Sequence, residues 1–205
     1  QFATYVISAT APNITSFSPS SAEIGADITL TGTNFSAVNA VTVAGVTATF
    51  TVNSATSITV TIPAEATSGA IAVSTPSNGQ SSKSGFTVLV PAVEVPAEAF
   101  YPTSTAGQSI GGFLVSGFDP SSNLRATLAI TENPGGVTFD ITSTTGVTRD
   151  FGFNSWTGIT NINFTGNLAS INAALASMEL NTSAVNLGEI GFSLVVSKVV
   201  PNYFY

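Results

Sequence analysis

From residue 11 onward, apolar side chains recur at every second position in short runs, and turn-forming residues separate the runs. Ile28 and Leu30 alternate with Thr29 and Thr31, Val41 and Val43 flank Thr42, and Ala48, Phe50 and Val52 alternate with Thr49 and Thr51. Ile58, Val60 and Ile62 alternate with Thr59 and Thr61. A period of two is the pattern of a strand with one face in a core and one in water. Ile14 and Phe17 mark an earlier strand, Ile71 and Val73 a later one, and Phe86, Val88 and Val90 close the series. Turns are expected at Pro19-Ser20-Ser21, Gly25, Gly32-Thr33-Asn34-Phe35, Gly45 and Pro76-Ser77-Asn78-Gly79. Asn34 suits a left-handed position in its turn, and Pro63, without an N–H, ends its strand or sits at an edge. About seven short strands in roughly 80 residues predict a β-sandwich over residues 11–90.

The pattern changes after residue 90. Residues 1–10 form a β-prone leader or edge segment, and Pro91-Ala92-Val93-Glu94-Val95-Pro96 reads as a short, semi-rigid linker, because proline fixes φ and extends its neighbour. A second β unit is expected over residues 97–200, with strands near 112–115, 125–131, 137–143, 159–164, 179–183 and 191–196. One helix interrupts it over residues 167–178. Asn167 is a good N-cap, Leu168, Ile171, Leu175 and Met178 recur at helical spacing, and Ala169, Ala173, Ala174 and Ala176 add propensity. So short a helix is marginal alone and must dock on a sheet. Residues 201–205, with Tyr203, Phe204 and Tyr205, read either as the opening of a following module or as a terminal edge strand. The fold class expected is all-β: two tandem immunoglobulin-like sandwiches, the second with one short helix.

Charge removes several function classes. The 205 residues carry 4 Lys+Arg and 11 Asp+Glu, 7% charged, for a net charge of −7. Soluble domains typically hold ~25%. Mean hydropathy is positive, yet no apolar run approaches the ~20 residues that span a bilayer, so membrane insertion is not expected. Without a basic cluster there is nothing to hold nucleic-acid phosphates or anionic lipid. No Cys is present, which excludes a disulfide framework and a thiolate metal site. Gln1-Phe2-Ala3 has no cationic or apolar signal region, as in a mature chain after signal cleavage or in an arbitrary fragment.

The ordered set Gly32-Thr33-Asn34-Phe35, Val41-Thr42-Val43-Ala44-Gly45-Val46, Phe50-Thr51-Val52, Ile58-Thr59-Val60-Thr61-Ile62-Pro63, Gly69-Ala70-Ile71-Ala72-Val73 and Gly85-Phe86-Thr87-Val88 resembles an IPT/TIG domain, an immunoglobulin-like sandwich of cell-surface proteins. In the second unit, Leu128-Ala129-Ile130-Thr131-Glu132-Asn133-Pro134-Gly135-Gly136, the segment from Phe164 to Ala176, and Leu180 resemble the cadherin-like repeats of large bacterial surface adhesins. The resemblance implies a secreted, extracellular location on a Bacteroidetes-type cell. It also implies export by the type IX secretion machinery, and a protein or glycan ligand held by other modules.

Catalysis has little to work with. No His or Cys exists to act as base or nucleophile, and Ser82-Lys83-Ser84 is read as a polar turn whose lysine activates nothing. The cadherin-like resemblance implies calcium, a hard cation that takes clustered oxygens. The candidate ligands are Glu98, Asp119 and Glu132, with Asp140, Asp150 and Glu94 in reserve. No Asp-x-Asp string of a dedicated loop occurs, and single carboxylates in β-turns more often cap backbone N–H groups. Trp156, near Arg149, Asp150, Phe151 and Phe153, is either a glycan-stacking platform or a core plug. Four Asn-x-Ser/Thr triplets, at Asn13, Asn34, Asn163 and Asn181, are frequent by chance in so Thr-rich a chain. The sequence therefore predicts a non-catalytic stalk region of an adhesin. The alternatives are a virion decoration or fibre protein and a spacer of a secreted glycan-degrading enzyme.

Overall fold

Alternating side chains become paired strands in the computed structural model, which describes residues 10–77, 79–95, 107–132, 136–150, 155–181 and 190–199. Two units result, Gln1–Val90 and Pro91–Tyr205, each an all-β sandwich around its own core.

In the first unit, β1 (Asn13–Ser18), β3 (Asp27–Thr33), β7 (Ser57–Thr61) and β6 (Thr49–Ser54) form one antiparallel sheet in the order β1-β3-β7-β6. The second sheet runs β2 (Ser21–Glu23), β9 (Gly79–Leu89), β8 (Gly69–Thr75), β4 (Ala40–Val43) and β5 (Val46–Thr47). Period two decides what enters the core. Ile28, Leu30, Ile58 and Val60 from the first sheet meet Val41, Val43, Ile71, Val73 and Phe86 from the second, all buried. The opposite face of the first sheet is hydroxylated, with Thr29 opposite Thr59 and Thr59 opposite Thr51. Asn34 adopts φ 60° and ψ 35°, and its side-chain amide donates to the Ala11 carbonyl at 3.0 Å.

Parts of this unit depart from the sequence expectation. Ser21, expected in a turn, opens β2, which pairs with the last strand of the unit. Ser82-Lys83-Ser84, expected in a polar turn, lies within β9, where Lys83 faces Ile71 and Ser82 faces Ala72. These hydroxyls fit because β9 keeps one wet face, and a bulge between Gly69 and Ile71 is absorbed by Gly85 at φ 98°. Ladder pairing ends at Leu89, leaving Val90 exposed.

The second unit contains β10 (Ala92–Glu94), β11 (Gln108–Ser109), β12 (Leu114–Ser116), β13 (Leu124–Glu132), β14 (Thr138–Ile141), β15 (Val147–Arg149), β16 (Asn161–Gly166), β17 (Met178–Asn181) and β18 (Gly191–Lys198). Its sheets run β10-β12, β11-β17-β14 and β15-β16-β13-β18. Ala92–Glu94, expected in the linker, is thus a strand whose Val93 pairs with Val115. The helix α1 spans Leu168–Ala176, and Asn167 caps it by accepting from the Ser170 N–H at 2.9 Å. It stops short of Met178 because the Ser177 hydroxyl accepts from the Ser143 N–H and donates to the Ala174 carbonyl, both at 2.8 Å, while Met178 pairs with Ile141. Ile171, Ala174 and Leu175 are buried against Leu124, Leu128, Ile162 and Phe164 in one core. Asn172, a polar residue on this helix, donates to and accepts from the Val115 backbone at 2.8 Å each, tying α1 to β12.

Candidate functional site

Of the proposed calcium ligands, Glu98 lies outside the described residues, as does the side chain of Glu132, whose backbone pairs with Gly191 at the end of β13. Asp119 is described fully. It follows Phe118 in the turn between β12 and β13, and its Oδ1 accepts from the Ser121 N–H at 2.8 Å and the Ser121 hydroxyl at 2.6 Å. Its own carbonyl accepts from the Ser122 N–H at 2.9 Å. Ser121's hydroxyl and then its N–H favour the charged carboxylate and lower its pKa. Partial burial opposes them, and the positive charge of Lys198 adds a smaller pull downward. This is the geometry of a carboxylate that closes a turn. Among the described residues, no three Asp or Glu gather closely enough to hold a metal ion.

The Trp156 corner is more organised. β14 supplies Asp140, whose Oδ1 accepts from the Gly158 N–H at 2.7 Å. The Ser155 hydroxyl accepts from the Thr157 N–H at 3.0 Å, and the Trp156 carbonyl accepts from the Ile141 N–H at 2.8 Å. The loop that carries the indole is therefore braced on both sides. The ring is half-buried, edge-on to Phe164 with centroids 5.9 Å apart. The Arg149 guanidinium carbon sits 5.0 Å from the ring centroid, within cation–π range. One strand position on, Asp150 pairs with Arg125 on β13 at 3.0 Å, and its N–H donates to the Asn163 carbonyl at 3.0 Å.

Chemically, this corner offers an aromatic ring, a stacked cation and an ion pair. The sequence brought Arg149, Asp150 and Trp156 together by proximity along the chain. It named Asp140 as a reserve calcium ligand and Phe164 as part of the cadherin-like segment, but did not join either to this corner, because they come from other strands. An acid facing a Gly-containing loop was the one available hint.

Residues 12–88 match the IPT/TIG domain family. The match spans the first unit from the start of β1 to the end of its core, Ile14 through Val88. No curated protein matches the sequence. Among solved structures, the chain is similar to SGBP-B from a complex xyloglucan utilization locus of Bacteroides uniformis, at 14% identity over 93% of this chain and 74% of that one, with a TM-score of 0.37. It is also similar to the Bacteroides ovatus mixed-linkage glucan utilization locus SGBP-B in complex with a heptasaccharide, at 16% identity, 92% and 53% coverage and a TM-score of 0.35. A third is the Prevotella bryantii surface glycan-binding protein PbSGBP-B, at 15% identity, 78% and 37% coverage and a TM-score of 0.36. The chain spans about half of the second protein and little more than a third of the third. Among the described residues, no helix is long and apolar enough to cross a membrane.

Proposed function

We propose that this chain is a non-catalytic structural stalk region of a secreted, multidomain bacterial cell-surface protein. In this reading it belongs to an adhesin exported by the type IX route, with protein or glycan ligands contacted by other modules and the second unit acting as a cadherin-like repeat. One observation carries the reading: an IPT/TIG domain followed by a second sandwich, each closed on its own apolar core. Outer strand positions are mostly Thr, Ser and Asn, so the surface is sparsely charged and contributes spacing and direct contact more than electrostatic steering. The test is antibody labelling of intact cells of the source organism, using antibody raised against the 205-residue chain. Labelling without permeabilisation is expected, and signal that appears only after permeabilisation refutes the reading.

A second reading concerns Trp156, a half-buried indole on a braced loop with a guanidinium over its ring. Sugars stack on the face of such a ring, and the face not covered by the guanidinium is the candidate platform. As the sole Trp of the chain, it reports directly: quenching or shift of its emission on titration with neutral oligosaccharides supports a glycan contact, and an unchanged spectrum removes it.

A further inference from the structure

We propose that the open edge of β6 pairs with β6 of a second copy of this chain, antiparallel about a twofold axis. The β1-β3-β7-β6 sheet of the first unit then continues from one copy into the other. This goes beyond the stalk reading and rests on the strand geometry of the first unit alone.

Register decides which backbone groups of β6 are open. The Gly32 N–H donates to the Thr56 carbonyl and the Ile62 N–H to the Ala26 carbonyl, one bond at each end of the β3–β7 ladder. Hydrogen-bonded pairs in an antiparallel ladder come at every second residue, so Ile58 and Val60 bond to β3. Thr59 and Thr61 therefore turn the other way and bond to Thr51 and Thr49 of β6. The N–H and C=O of Phe50 and Val52 are left pointing away from the sheet. Groups to either side are occupied: the Ala48 N–H donates to the Val41 carbonyl at 2.9 Å, and the Ala55 carbonyl accepts from the Phe35 N–H at 2.9 Å. Other edges of this unit are short or fastened. β2 and β5 have three and two residues, and β1 is tied to β9 by the Ile14 N–H, which donates to the Ser81 hydroxyl at 3.2 Å. Among the described residues, nothing comparable covers β6 between Phe50 and Val52.

A second copy is the occupant these positions select. Centred on Thr51, antiparallel pairing sets Phe50 opposite Val52 of the second copy, and Val52 opposite its Phe50, each pair exchanging both backbone hydrogen bonds. Both side chains sit half-buried at the rim of the core, and an aromatic ring across from a β-branched side chain is a favourable cross-strand pair. Charge points the same way. The chain carries a net charge of −7, so most of its surface repels a copy of itself. Residues 28–64 contain no Asp, Glu, Lys or Arg, and β6 thus lacks the charged side chains that keep edge strands apart. So short a contact is weak and forms only as concentration rises.

Sedimentation velocity of the whole chain from ~1 µM to ~1 mM, the range of weak association, tests this. The mass is expected to rise from 20.7 kDa toward twice that value. Thr51→Lys and Thr51→Glu leave the β6–β7 ladder in place, because the side chain is exposed, yet each sets like charges opposite one another across the twofold. Each variant alone is expected to stay monomeric, and an equimolar mixture of the two to associate, since the facing charges are then opposite. Val52→Pro removes an outward N–H without touching a bond to β7, and edge strands tolerate proline; a chain with the wild-type circular dichroism spectrum is expected to have lost the association. If Val52→Pro does not fold, the charge variants decide alone. A wild-type chain that is monomeric throughout overturns the proposal, and binding of a Thr- and Val-rich extended peptide in that case would assign the edge to a foreign strand. Association that persists in either charge variant, or a mixture that stays monomeric, overturns it equally.

Discussion

Gly32→Ala tests the packing argument most sharply. Gly32 lies in β3 opposite Ile14, and its φ falls outside the left-handed region, so backbone freedom does not explain the glycine. Close approach does. A Cβ at this position would be driven into the backbone carbonyl oxygen of Asn13 and the ring of Phe35. Neither neighbour yields easily, since Phe35 is fully buried and Asn13 is held in β1 opposite Thr33. Overpacking against yielding neighbours typically costs 1–3 kcal/mol, and two fixed ones place this case at the upper end, about 3 kcal/mol. For a unit of roughly 80 residues that lowers Tm by roughly 12–24 °C. The assay separates the two units: far-UV circular dichroism reads all strands, while the fluorescence of Trp156 reads the second unit. In urea, Gly32→Ala should move part of the dichroism transition to lower denaturant and leave the fluorescence midpoint in place. Gly111→Ala, where the added methyl meets nothing within 4 Å, is the control and should change stability by less than about 0.5 kcal/mol. A Gly32→Ala chain with the wild-type midpoint refutes the reasoning.

Three further outcomes are expected. The Asp119 pKa is lowered from its ordinary 3.8, chiefly by Ser121. A depressed carboxylate stabilises the fold above its unfolded pKa and loses that contribution as pH falls through the folded value. The Tm of Asp119→Ala should therefore lie below wild type at neutral pH, with the gap narrowing below pH 3.8; a gap independent of pH contradicts the capping role. Because Asp119 closes its own turn, adding EDTA should leave the melting temperature unchanged, and a drop on chelation that calcium reverses would establish a cation site. Arg149→Met uncovers the indole, so Trp156 emission should move to longer wavelength and the second unit should lose about 1 kcal/mol of cation–π stabilisation. An unshifted spectrum would show that the guanidinium does not shield the ring.

Elements whose cause is local were legible in the sequence. β3 and β7 follow from strict alternation, and α1 follows from a cap, an apolar spacing and an alanine-rich face. Asn34 was placed correctly because a short polar side chain tolerates φ near 60°. Elements whose cause is a distant partner were not legible. Ser-Ala-Glu has no pattern that marks β2, and β9 is recognisable from Phe86 and Val88 while its polar half, Gln80 to Ser84, is a strand only because β8 lies beside it. The Trp156 corner divides in the same way: Arg149 and Asp150 are sequence neighbours, but Phe164, Asp140 and Arg125 arrive from three other strands.

The amino-acid order alone determined the all-β character, a change of pattern near residue 90, the capped helix, and a chain without the Cys that thiolate chemistry needs. Tertiary structure decided which strands pair and in which direction, why Gly32 admits no methyl, and what covers the face of Trp156. The division has a physical origin. Periodicity and capping are set by residues within a turn or two of one another, whereas parallel pairing and close approach join residues as far apart as Ser21 and Thr87 and exist only after the chain has closed on its core.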